Sequence, residues 1–144
     1  MLSTNQKGAI SEGAITYAAI RLGIGVFSAV VDERYDLIFD LGPRLLRVQC
    51  KTAVLNGDVV VIRCYSNRRN AEGLLKRCYT SGEIDAIAAY SHELDRSFLI
   101  PVARIDGRSH IQVRLHPTRN NQARGINWAD EFDLAATLSR LQGP

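Results

Sequence analysis

The sequence predicts an α/β or α+β domain with a mixed β-sheet. Three observations predict it. A largely apolar helical stretch comes first in the 144 residues. Short segments with period-two alternation or β-branched runs follow, separated by turn signals. An amphipathic stretch comes last, so the order is helix, strands, helix.

The first helix is expected over residues 8–22 (GAISEGAITYAAIRL). Ile10, Ala14, Tyr17 and Ala18 make one stripe, which Ile15, Ala19 and Leu22 widen. Asn5 or Ser11 is the expected cap, and Gly23 with Gly25 the stop. A helix this apolar is expected to pack on both sides, which makes Glu12 conspicuous. Residues 25–31 then read as a short β-branched strand. Residues 35–41 alternate, with Asp36, Ile38 and Asp40 on one face and Leu37, Phe39 and Leu41 on the other. Gly42-Pro43 turns the chain. Residues 45–52 alternate again: Arg47, Gln49 and Lys51 against Leu46, Val48 and Cys50. Asn56-Gly57 is a hairpin signal, and residues 58–65 (DVVVIRCY) are the returning strand. The strands over 35–41, 45–52 and 58–65 are therefore expected to form an antiparallel meander. Residues 66–83 read as a loop or short helix. Residues 84–90 and 97–102 are two more strands, with Pro101 marking an edge or strand end. Residues 103–127 are irregular apart from a short strand over 111–115. Residues 128–141 are the closing helix, with Trp128 its core anchor.

Composition narrows the function. Hydrophobic residues are 46% and charged residues 23%, an ordinary globular balance that excludes disorder. A single domain is expected over residues 1–144. No apolar run reaches the roughly 18 uncharged residues of a membrane span, so no membrane partner is expected. The polar start, Met1 to Lys7, lacks a secretory apolar core. Cys50, Cys64 and Cys78 form no C-x-x-C pair, which argues against a zinc ribbon or a disulfide scaffold and for reduced thiols inside a cell.

Charge is patterned. Net charge is only +3, yet residues 60–80 carry five basic side chains against one acidic, and residues 96–125 carry six against one. Residues 81–95 between them carry four acids and no base. Fifteen of the 18 cations are arginine, whose planar fork suits phosphate and base edges. Basic strips separated by an acidic one are the footprint expected for nucleic acid; an ordinary Arg-rich surface is the competing reading.

The chemistry concentrates at Asp36 and Gln49-Cys50-Lys51. Gln49 and Lys51 share a strand face. With Gly42-Pro43 at the hairpin tip, that end of the second strand lies beside Asp36. A carboxylate, an amide oxygen and an ammonium then converge at one end of a sheet, and Glu12 could add a second carboxylate. Mg²⁺ takes oxygen ligands and uses one or two carboxylates with waters and substrate phosphate. Asp36 would be the charged ligand, with the Gln49 amide oxygen and the Cys50 backbone carbonyl completing the protein's share. Lys51 would hold or deprotonate the attacking water and offset charge on the transition state. Each has a plainer alternative: a turn-bonding Asp36, a first-turn Glu12 drawn by the helix dipole, a packed Gln49, a solvated Lys51.

Asp36…Gln49-x-Lys51 behind a helix bearing Glu12 resembles the PD-(D/E)XK nuclease superfamily. Tyr35 stands where that pattern has Pro, and Gln49 where it has an acid. Asp…Gln-x-Lys is similar to the PD-(D/E)XK homing endonucleases associated with group I introns. Ser66-Asn67-Arg68-Arg69, the stretch 79–90 (YTSGEIDAIAAY), Phe98-Leu99-Ile100-Pro101 and the segment from Asn120 to Ala129 agree with that group. The resemblance spans roughly residues 5–135. It implies a restriction-endonuclease-like core, a mixed sheet flanked by helices with a divalent-metal site at one end. It implies Mg²⁺, with Mn²⁺ as a substitute, and cleavage of double-stranded DNA. Duplex cutting needs two active sites, so it implies a homodimer or homotetramer. The setting it implies is the prokaryotic cytoplasm, at the nucleoid when DNA is bound.

DNA contacts are expected from Asn67, Arg68 and Arg69 toward phosphates, and from Arg119, Asn120, Asn121, Gln122 and Arg124 toward bases. For the second group the alternative is an Asx-turn network. Two other functions fit the same pattern: a structure-selective nuclease such as a Holliday-junction resolvase, and a DNA-binding protein of this fold that has lost hydrolysis.

Overall fold

The computed structural model describes residues 1–122 and 124–143, with all their side chains except those of residues 68–70. Helix α1 (Thr4–Arg21) starts four residues before the expected position. Ser3 is its cap rather than Asn5 or Ser11. A reciprocal capping box forms: Ser3 N–H donates to Gln6 Oε1 at 2.8 Å and Gln6 N–H to Ser3 Oγ at 3.1 Å. The helix ends as expected at Gly23 (φ 81), where Ile24 N–H reaches Ala19 O and Gly23 N–H reaches Ile20 O. It is not packed on both sides. Ser11, Ile15 and Ala19 are buried, whereas Ile10, Tyr17 and Ile20 are exposed. Spacings of four residues select one narrow inward stripe, and the other apolar side chains face out.

The main sheet has five strands in the order β1 (Gly25–Ser28), β2 (Leu37–Asp40), β3 (Leu45–Thr52), β8 (Ala86–Ser91), β9 (Arg96–Pro101). β3 and β8 are parallel and the other pairs antiparallel, so the sheet is mixed. The β2–β3 hairpin closes at Gly42 (φ 94), and β3 has the bounds its alternation predicts. All six residues of β8 are buried, because both faces of this strand are covered. Pro101 ends β9, where no ladder donor is needed.

The expected meander is not formed. Ala53 N–H bonds Tyr90 O, and the chain then leaves the main sheet. β4 (Val54–Asn56) and β5 (Val59–Arg63) join β10 (His110–Arg114) in a separate three-stranded sheet, order β10-β5-β4. The β4–β5 turn residues are Gly57 (φ 61) and Asp58, one position beyond the expected Asn56-Gly57, since Asn56 pairs with Val59. Residues 66–83 are not a loop or short helix either. β6 (Tyr65–Asn70) and β7 (Gly73–Cys78) form a two-stranded hairpin. The closing helix is shorter than expected: α2 (Leu134–Gln142) follows a 3₁₀ turn over Ala129–Phe132. Asp133 breaks the two apart and caps α2 through Ala135 N–H at 3.2 Å. Trp128 is half-buried at the start of that turn, and Ala129 and Phe132 supply its fully buried groups.

Two apolar layers enclose the main sheet. On one face Ile15 and Ala19 of α1 and Leu138 of α2 pack on Leu37, Phe39, Val48 and Ala88. On the other, Ile87, Phe98 and Ile100 pack on Val60, Ile62 and Ile111 of the three-stranded sheet and on Tyr79 and Ile84. Fully burying a side chain such as Ile15 contributes about 2–3 kcal/mol. These layers fix which side of β3 each candidate side chain takes.

Candidate active site

Asp36 precedes β2 by one residue. Its N–H donates to Val48 O at 2.9 Å, continuing the β2–β3 ladder one step past Leu37↔Val48. Its carboxylate then takes the next ladder donor: Cys50 N–H bonds Asp36 Oδ2 at 3.0 Å. Backbone groups of a strand alternate sides, so the Cys50 carbonyl points toward the same edge, where β2 has already ended. The Gln49 amide Nε2 reaches that carbonyl at 3.4 Å. Asp36, Gln49 and Cys50 are thus gathered at one end of the hairpin, as the strand registers require.

Lys51 stands on the same face as Gln49 and reaches a different partner. Its ammonium donates to Tyr65 O at 3.0 Å and lies 5.1 Å from the Tyr79 ring centroid. Burial pushes its pKa down, the Arg63 and Arg34 cations add to this, and Asp36 opposes it. A half-buried lysine with cations nearby gives up its proton more readily than a solvated one.

Glu12 comes from the opposite face of the sheet, on α1. Its turn is tied down by Ser11, whose hydroxyl shares hydrogen bonds with Thr52 Oγ1 at 2.6 Å and His92 Nε2 at 3.2 Å. Burial and then the Asp36 charge push the Glu12 carboxyl up. Burial likewise raises Asp36, against the Cys50 N–H and Lys51. A carboxyl whose ionisation is held back by burial and by a neighbouring carboxylate, as Glu12 is by Asp36, suits a nearby cation. The Cys50 thiol is pushed up by burial and by both carboxylates, so it stays protonated and is a poor metal ligand. The donors within reach are therefore oxygens: two carboxylates, an amide and a peptide carbonyl. Among the described residues no group of three His, Cys, Asp or Glu is placed to hold a metal. A small oxygen set completed by water and phosphate fits Mg²⁺ or Mn²⁺ and does not fit a closed zinc site.

Sequence reasoning missed Arg34, Tyr79 and Tyr65. Arg34 bonds Ser66 Oγ at 2.6 Å and Cys78 O at 3.1 Å, pairs with Glu83 at 3.1 Å, and lies 4.1 Å above the Tyr79 ring. It thereby clamps the β6–β7 hairpin to the segment leading into Asp36. Its place two residues before Asp36 was the one available signal. Tyr65 acts through its backbone, which residue type does not reveal.

The expected DNA-contact residues fall on β6 and on the loop after β10. Asn67 is exposed on β6, opposite Lys76. Arg68 and Arg69 belong to β6, with side chains outside the described residues. Arg119, Asn120 and Gln122 line a hollow with Asp58 and Arg114. Gln122 N–H bonds Asn120 Oδ1 at 3.1 Å and Thr118 Oγ1 bonds Gln122 O at 2.9 Å, so the Asx-turn network is present. Asn121 (φ 58) and Arg124 are exposed on the same loop. Asp40 bonds Gly42 N–H and serves the turn.

Residues 2–135 match the family model described as PD-(D/E)XK endonuclease. The solved structure of a bacterial homing endonuclease, I-Ssp6803I, superposes with a TM-score of 0.78 at 27% identity, covering 99% of this chain and 96% of that one. No curated protein matches the chain. A family match across nearly the whole length, on a fold that gathers Asp36, Gln49 and Lys51 at one sheet end, means that the chain belongs to the PD-(D/E)XK endonuclease family.

Proposed function

We propose that this nuclease is a Mg²⁺-dependent, sequence-specific endonuclease that cuts both strands of a DNA duplex, of the homing type its structural neighbour is named for. The observation that carries the reading is the Asp36 carboxylate held at 3.0 Å by Cys50 N–H, with Gln49 and Lys51 beside it on the neighbouring strand. Asp36, Glu12, the Gln49 amide oxygen and the Cys50 carbonyl would hold the ion. When bound, it would withdraw charge from the phosphate and make water more acidic.

The protein's own residues do the rest. Lys51 holds the attacking water and accepts its proton, or stabilises the charge gathering on phosphorus, depending on its protonation. The Tyr65 carbonyl and the Tyr79 ring fix where that ammonium sits. Cys50 N–H keeps the Asp36 carboxylate aimed. Cutting two strands calls for a second copy, which the apolar outer face of α1 (Ile10, Tyr17, Ile20) suits.

The test is plasmid cleavage by the purified chain, with and without Mg²⁺, beside Lys51→Ala, on a library of candidate sites. Discrete double-strand products that need both Mg²⁺ and Lys51 support the proposal. Salt-sensitive binding without cleavage in any divalent metal would make it a binding protein; cutting of branched DNA alone would make it a resolvase.

A further inference from the structure

A groove of about 920 Å³ opens from Lys51, between the first turns of α1 and the β4–β5 hairpin. Its ionisable lining residues are Lys7, Lys51, Arg63 and His110; no carboxylate lines it. They come from four separate elements, and of the three cations only Arg63 falls in a basic stretch of the sequence. Lys7, Arg63 and His110 are exposed. Tyr65 gathers the groove's far wall. The Arg63 guanidinium lies 5.2 Å and the Lys76 ammonium 4.3 Å from its ring centroid, and His110 meets its edge at 5.4 Å.

Several arginines elsewhere in the chain are paired with carboxylates. Arg34 pairs with Glu83, Arg47 with Asp85, and Arg96 with Asp130 and Asp133. Lys7 and Arg63 have no carboxylate partner among the described residues. Like charges held together without a counter-charge repel, and an arriving polyanion relieves that repulsion. The cations are spread along an open groove instead of converging on a point, which suits a chain of phosphates better than one small anion.

We propose that this groove seats the sugar–phosphate backbone of DNA next to the scissile bond, with Lys7 and Arg63 as sequence-independent phosphate contacts and Tyr65 holding the cationic wall. The proposal rests on the nuclease reading, since Lys51 is shared by groove and site. Asp36 and Glu12 do not line the groove, so it holds the strand beyond the reacting phosphate.

The experiment titrates the full chain against a fluorescent random-sequence duplex over a KCl series. Each phosphate contact contributes about 0.9 to the slope of log K against log salt. Lys7→Ala with Arg63→Ala should lower that slope by about 1.8 and weaken low-salt binding at least tenfold. Lys7→Arg with Arg63→Lys should keep it, as should Arg21→Ala at the far end of α1. An unchanged slope in the double alanine variant overturns the groove, as does an equal loss in Arg21→Ala. A wild-type chain that binds no duplex overturns groove and nuclease reading together. The expected slope loss in a protein that cuts no plasmid supports the groove and defeats the nuclease reading alone.

Discussion

Arg47 and Asp85 fix the register on which the site depends. Arg47 Nε and Nη2 reach Asp85 Oδ2 and Oδ1 at 3.1 and 3.2 Å, and Arg47 also donates to Gly82 O and Ser81 O at 2.9 and 3.0 Å. Asp85 further accepts Arg47 N–H at 2.7 Å. This binds β3 to the turn that launches β8, two residues before Gln49. The side chains are 33% and 26% exposed, so solvent screening discounts the pair. A bidentate charged pair of this kind is expected to couple by about 1–2 kcal/mol. Arg47→Ala also frees two carbonyls, which water can satisfy, for a total loss of about 2 kcal/mol. At about 3 °C per kcal/mol for this length, Tm falls by about 6 °C. Asp85→Ala should cost more, because it also strands a strand N–H. Burial works against the Asp85 carboxylate, yet the Arg47 hydrogen bonds and charge hold its pKa below the usual value. Its contribution is therefore full above the unfolded value, near pH 4, and is lost as pH falls below that. Urea unfolding of both single variants and the double, at neutral pH and near pH 3, measures all of this. A coupling under about 0.5 kcal/mol, or an Arg47→Ala loss larger than that of Asp85→Ala, refutes the reasoning.

Three other predictions concern function. Asp36→Asn and Lys51→Ala should each lower plasmid cleavage by about 100-fold or more while duplex affinity, read by anisotropy, stays within about threefold; an equal loss of binding counts against their catalytic roles. Gln49→Glu adds a charged oxygen ligand and should lower the Mg²⁺ concentration for half-maximal cleavage by about tenfold; a rise in that midpoint refutes a metal-facing Gln49. Arg68→Ala with Arg69→Ala should weaken binding to all sequences alike and reduce its salt dependence, and an unchanged salt slope would argue against phosphate contacts there.

The hairpin carrying Asp36 and Gln49-x-Lys51 was legible because one of its faces is buried. Leu37 and Phe39, then Leu46 and Val48, had to point inward, which set the register of everything opposite. The β6–β7 hairpin was not legible for the converse reason. Leu74 and Leu75 are both exposed, so no period of two is written into it. The parallel pairing of β3 with β8 joins segments more than thirty residues apart, as in Lys51↔Ala89, and local pattern does not encode it. The run over 84–90 was legible as a strand, though not its burial on both faces. In α1 the abundance of apolar residues suggested two packed faces, whereas spacing allowed one. Glu12's approach from the helix side depends on layer packing, which strand alternation leaves open.

The alanines of β8 have a consequence for that approach. Ala86 and Ala88 face α1 with nothing larger than a methyl group, and Ala88 stands directly beside Cys50. They act as a shim that sets how closely the helix backbone lies over the sheet. Thickening it by a single ethyl or isopropyl group would lift Ile15 and Ala19, at about 1–3 kcal/mol of overpacking. It would also carry Glu12 outward, since the same rigid helix bears all three. The gap between the two carboxylates is thus governed from a strand that contributes no polar side chain to the site. Any redesign of the site for a larger cation would begin at Ala88 and leave Glu12 and Asp36 untouched.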